Sequence, residues 1–169
     1  VHAMTEMNAP VRIGDDPAVL DLVPLVSDMP TARDLRMVLA AYRVRGMLSF
    51  RSRRAEVARI RREVTDAVHT VQPRTVVMVF EAVDGTTRRR IDRIARQVTR
   101  DVSVAATNVV GSDTTVIGLV VMSGQERDLA ATCVRHVAVE PPERGDGLVF
   151  HAADLRRANI YELIEEAVV

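Results

Sequence analysis

Arg88-Arg89-Arg90 stand together just after Gly85-Thr86-Thr87. A helix starting at Thr86 or Thr87 puts all three guanidiniums in its first turn, beside backbone amides that have no intrahelical partner. Cations there oppose the helix dipole, at about 0.3–1 kcal/mol each before screening. The same place suits an anion, because helix N-termini hold phosphate. Gly85, Arg88, Arg89 and Arg90 are therefore candidate ligand-binding residues, with Gly111 and Ser112 from a nearby turn. The bland alternative is three solvated arginines.

A second set is Glu81, Asp84 and Asp113. If the strand ending near Glu81 lies beside the turn at Gly111-Ser112-Asp113, the carboxylates converge and could hold Mg²⁺ through oxygen ligands. The competing explanation is turn chemistry, since Asp before Gly and Asp after Ser are good turn formers. Cys133 and His136 are three apart on a helical pattern and share a face. Two ligands do not make a zinc site, and His2, His69 and His151 have no ligand spacing. Cys133 lies on an apolar stripe, where a small buried thiol is the ordinary reading.

Composition bounds the rest. All 23 basic residues are Arg, and Lys is absent, as in a GC-rich coding sequence. No Schiff-base lysine, phosphate-loop lysine or lysine base can exist here. The 23 acidic residues balance the charge to zero, which gives no global pull towards nucleic acid or an anionic membrane. Aromatics are 3% of the chain and Trp is absent, so the core is aliphatic and stacking platforms are scarce. The single cysteine excludes an intramolecular disulfide. No apolar run approaches transmembrane length and the start VHAMTEMNAP lacks a signal-peptide core, so a soluble cytoplasmic chain with no membrane contact is expected.

These candidates need elements to position them. Residues 1–30 carry four prolines and read as an N-terminal arm. Residues 31–169 read as a single α+β domain. Its helical lead-in covers 31–72, its core 75–150 and its closing helix 153–167. A first helix is expected from Thr31 to Gly46, with a stripe of Leu35, Val38, Leu39 and Tyr42. A second runs from near Ser52 to before Pro73, on Val57, Ile60, Val64 and Val68. The run Thr75–Phe80 is an uninterrupted apolar strand. A helix on Ile91, Ile94, Ala95 and Val98 follows, then strands at 102–110 and 114–122 joined as a hairpin. Ser123 to Glu126 fits a capping box before a helix on Leu129, Ala130, Cys133, Val134 and Val137. Leu148–Phe150 makes the last strand. This β-α-β-β-α-β order is the ferredoxin-like unit: an antiparallel sheet with helices packed on it, preceded by two helices.

Four stretches resemble a degenerate diguanylate cyclase (GGDEF) domain. They are Leu48 to Ala55, Val76 to Gly85, Asn108 to Thr115 and Leu155 to Tyr161. The resemblance places Asp84 where a metal-binding Asp would fall and Asn108 to Thr115 at the signature hairpin. Ser112 replaces a signature Gly, Thr114 the acidic residue and Thr115 a Phe, so the resemblance implies an inactive regulatory relative. The same element order is also similar to an ACT-type regulatory domain, in which Gly85 would let a small ligand approach the backbone.

The first functional reading is a non-catalytic regulatory or interaction module that senses a small anionic ligand. It is expected to form a homodimer, because the short helix at 31–46 needs a partner surface for its stripe. The alternatives are a Mg²⁺-dependent enzyme acting on a nucleotide or phosphorylated metabolite, and a nucleic-acid-binding protein. Zero net charge and few aromatics argue against the last.

Overall fold

The structure, a computed structural model, describes residues 11–15, 36–46, 49–83, 85–111 and 113–169. Among the described residues, five strands form one sheet: β1 (Val11–Gly14), β2 (Met37–Val44), β3 (Thr75–Ala82), β4 (Thr115–Val121) and β5 (Val149–His151). Their order in the sheet is their order in the chain, and every pairing is parallel. Among the described residues, four α-helices cover the sheet: α1 (Phe50–Val71), α2 (Arg88–Val110), α3 (Arg127–Val139) and α4 (Ile160–Val168).

Alternate residues of each strand divide the core into two layers. Val38, Ala40, Tyr42, Val76, Met78, Phe80, Val116 and Val120 face α1 and α2. Leu39, Ala41, Val77, Val79, Ile117 and Leu119 face α3 and α4. The crossovers through α1 and α2 thus lie on one face and the crossover through α3 on the other. With strands in sequential order, the α3 crossover has the opposite hand to those two, against the usual uniformity of parallel crossovers.

The mixture of helix and strand is as expected, but the antiparallel ferredoxin-like sheet is overturned. The cause is residues 102–110. They are not a strand but the second half of α2, in which Val102 and Ala106 extend the buried stripe of Ile91, Ile94, Ala95 and Val98. Val104, which alternates with Val102 as a strand residue would, is exposed on the helix surface. With no strand there, the stretch around Gly111 joins a helix to a parallel strand and no hairpin forms.

The lead-in helix at 31–46 is overturned as well. Met37–Val44 is the strand β2, paired with β1 and β3, and all but one of its residues are buried. A helix leaves part of its circumference exposed; a central strand in a helix-covered sheet does not. Residues 31–35, including Leu35, lie outside the described residues. Val38, Leu39 and Tyr42 are buried within the chain, so they no longer point to a second copy. Val11–Gly14 of the expected arm is the edge strand β1, while the run at 18–23 lies outside the described residues.

Other elements are close to expectation. The Ser49 side chain caps α1, and Gln72 ends it in a left-handed conformation just before Pro73. Before α3 the anticipated capping box does not form, because Glu126 reaches back one residue too far. Glu126 accepts from the Met122 amide at 2.8 Å, while Ser123 makes no side-chain cap bond. The full box belongs to α4, where Asn159 and Glu162 exchange both bonds. The closing helix therefore starts at Ile160, after a short 3-10 turn over Ala152–Arg156.

Gly118 in β4 tests this packing. A Cβ there would meet Thr99 Oγ1 at 2.6 Å and Val149 Cγ2 at 2.8 Å, both inside the layer under α2. Gly118→Ala should destabilise the fold by about 1–3 kcal/mol through overpacking. Urea titration should show a lower midpoint at an unchanged slope; an unchanged midpoint would mean that α2 does not press on β4 here.

Candidate functional site

The carboxyl ends of parallel strands are where helix-covered sheets usually bind ligands. Two loops meet at that edge, one from β2 to α1 and one from β3 to α2. Thr86 Oγ1 donates to the Val44 carbonyl at 2.6 Å, and the Val83 amide donates to the same oxygen at 3.0 Å. The Arg90 guanidinium donates to the Gly46 carbonyl. A Cβ on Gly46 would overlap the Gly85 carbonyl, so only glycine lets the loops lie this close. Together these bonds fix the N-terminus of α2 against the chain entering α1.

A cleft of about 420 Å³ opens at that junction, lined by Arg53, Thr87, Arg89, Arg90 and Arg93. Thr87 is the N-cap of α2 and makes no side-chain cap bond. Among the described residues, no carboxylate pairs with Arg53, Arg89 or Arg93. Arg53 instead lies over the Phe50 ring, 5.2 Å from its centroid. The cleft therefore gathers positive charge from two helices.

Two of the three expected arginines, Arg89 and Arg90, line this cleft, and Gly85 sits in the loop beside it. Arg88 is exposed and is not part of the lining. Gly111 is the C-cap of α2, with φ 92°, at the far end of a 23-residue helix. At about 1.5 Å per residue that is roughly 35 Å from the cleft. Ser112 lies outside the described residues. Arg93 was legible, since it falls four residues after Arg89 on the same helix face. Arg53 was not, because a residue on another helix is brought in by packing alone.

The expected carboxylate trio does not assemble. Glu81 is near the end of β3, 8% exposed. Arg127, at the start of α3, donates to it through Nε at 2.9 Å and through a terminal nitrogen, and Arg43 Nε stands 3.7 Å away. Asp113 precedes β4 and is exposed at the opposite edge of the sheet. Parallel pairing matches Thr75 with Thr115 and Glu81 with Val121. At about 3.3 Å per residue, Glu81 is therefore some 20 Å from the level of Thr115, and Asp113 lies two residues beyond it. The convergence required a hairpin that is not there. Asp84 lies outside the described residues, and among the described residues no three His, Cys, Asp or Glu side chains gather to hold a metal.

Cys133 is buried in the layer under α3, whereas His136 is exposed, so they do not act as a pair. Burial pushes the Cys133 thiol up to about 12. Two polar groupings had no sequence signal. His151 Nε2, at the end of β5, lies 2.7 Å from Asp92 Oδ1 on α2. Asp15 accepts from the Arg43 amide at 2.8 Å and from Arg59 at 3.2 Å. Arg59 also pairs with Glu56 and Glu63, and the buried Tyr42 hydroxyl donates to Glu63 at 3.1 Å. Burial and the Glu63 carboxylate raise the Tyr42 phenol well above its ordinary range.

Two measurements check these assignments. Removing a partner from a buried ion pair costs about 3–5 kcal/mol, and less where, as with Arg127 and Arg43, the cation is about a third exposed. Glu81→Ala should therefore lower stability by about 2 kcal/mol, and Glu81→Gln by less, in chemical denaturation. No loss with either would mean the pairing contributes nothing. At pH 8 the Cys133 thiol should resist a disulfide reagent in the native chain and react at once in urea. Fast native labelling would mean that α3 opens readily.

No family model matches the chain, no curated protein matches it, and no solved structure matches it.

Proposed function

We propose that this chain is a binding module for phosphate-bearing anions, taken up in the cleft lined by Arg53, Thr87, Arg89, Arg90 and Arg93. One observation carries the reading. Guanidiniums from the starts of two helices face one cleft, and Arg53, Arg89 and Arg93 have no carboxylate partner among the described residues. The chain has as many acidic as basic side chains, so this local excess is not a consequence of overall charge.

Clustered like charges repel and destabilise the folded state, and a bound anion relieves that repulsion. Guanidinium is suited to the task, because its planar fork meets two phosphate oxygens at once. The free amides at the start of α2 add donors and a favourable dipole. The described lining carries no carboxylate or imidazole to act as a base, which favours binding over turnover.

The cleft should reveal itself in thermal melts. Inorganic pyrophosphate should raise the melting temperature beyond sodium chloride at equal ionic strength. At about 100 times Kd the stabilisation is about 2.7 kcal/mol, or several degrees. Arg93→Gln should abolish most of that increment and slightly raise the melting temperature without ligand. Equal effects of pyrophosphate and chloride would refute the reading.

A further inference from the structure

A second concavity adjoins the arginine cleft. It is a groove of about 370 Å³ between α1 and α2, and its walls include Phe50, Val57, Ala58 and Ile94. Arg53 and Arg93 line both spaces, so the groove and the cleft are continuous. Phe50 is 64% exposed at the first turn of α1. It is one of only three Phe in the chain, and a large aromatic left so open calls for an explanation. Arg54 lies over the same ring at 5.8 Å, again with no carboxylate partner among the described residues.

Both spaces are cationic, but they differ in what else lines them. The cleft is built almost wholly of guanidiniums and takes phosphate. The groove, lined by Arg53, Arg54, Arg61 and Arg93, adds the aliphatic surface of Val57, Ala58 and Ile94, the Phe50 ring and the side-chain amide of Gln97, which can both donate and accept. A flat heterocycle with polar edges fits that description, since an aromatic ring gives a base a stacking surface and an amide reads its edge. A ligand filling both spaces has a phosphate chain at one end and a base at the other.

We infer that the ligand is a nucleoside di- or triphosphate, with its phosphates among Arg53, Arg89 and Arg93 and its base in the groove beside Phe50. This rests on the phosphate-binding reading and adds the class of ligand. A small nucleotide is favoured over a nucleic-acid strand because a strand is tracked by repeated stacking platforms, and here a single aromatic side chain lines the groove.

The test is isothermal titration of the full chain with ATP, GTP, sodium tripolyphosphate and a thymidine 12-mer. At least one nucleotide should bind ten times or more tighter than tripolyphosphate. Phe50→Leu, which keeps an apolar body under Arg53, and the uncharged Ala58→Gln, both at exposed positions of α1, should each remove most of that advantage and change tripolyphosphate binding less than about twofold. Arg93→Gln should weaken nucleotide and tripolyphosphate alike. Equal affinity for tripolyphosphate and both nucleotides would overturn this inference and leave the phosphate cleft standing. Binding by neither would overturn both. Tighter binding of the 12-mer, falling steeply with salt, would make the occupant a nucleic acid and overturn the nucleotide assignment.

Discussion

Burial of the central strands on both faces is the constraint from which the rest of the structure follows. In β2, β3 and β4 almost every residue is buried, so no face of these strands can meet water. Each face therefore needs its own cover of helices, and connections between parallel strands must be long enough to supply them. The aliphatic composition suits this arrangement. Valine and isoleucine pack well on a pleated surface, and two layers of mostly aliphatic side chains fill the space, with Tyr42, Phe80 and Phe150 the buried aromatics.

The same constraint decides where charge can sit. A carboxylate in the middle of these strands would lose its hydration without compensation. Charges therefore appear as the strands emerge from under the helices: Asp15 after β1, Arg43 near the end of β2 and Glu81 near the end of β3. Each is held by partners. Asp15 ties the edge strand to both β2 and α1, and Glu81 ties the end of β3 to the start of α3. These ion pairs act as registers between layers. Their desolvation leaves little net stabilisation, while loss of one partner is costly.

The arginines at the start of α1 and α2 differ from these paired charges. Arg59, by contrast, has carboxylates on three sides. At the cleft the fold leaves several together, next to helix amides that favour an anion. Like charges gathered at helix starts, against the dipole, are a local rule broken where a ligand can repair it.

The long helix on Val57, Ile60, Val64 and Val68 was legible in the sequence. So were the strand at Thr75 and the first half of α2, because their periodicities are unambiguous over many residues. The two errors have one origin. Met37–Val44 is rich in Ala, Leu and Met, which favour helix, and Val102–Val110 in Val, which favours strand, so local propensity points the wrong way in both. Position settled them: the first runs through the middle of a sheet covered on both sides, and the second continues a stripe that already faces the sheet. The candidate site divides in the same way. Arg89, Arg90 and the helix start behind them could be read from neighbours in sequence. Arg53 and Phe50, the pairing of Glu81 with Arg127, and the separation of Glu81 from Asp113 could not. Local spacing determines which residues share a helix face, whereas strand direction and helix packing decide which distant residues meet, and those depend on how the whole chain buries its apolar surface.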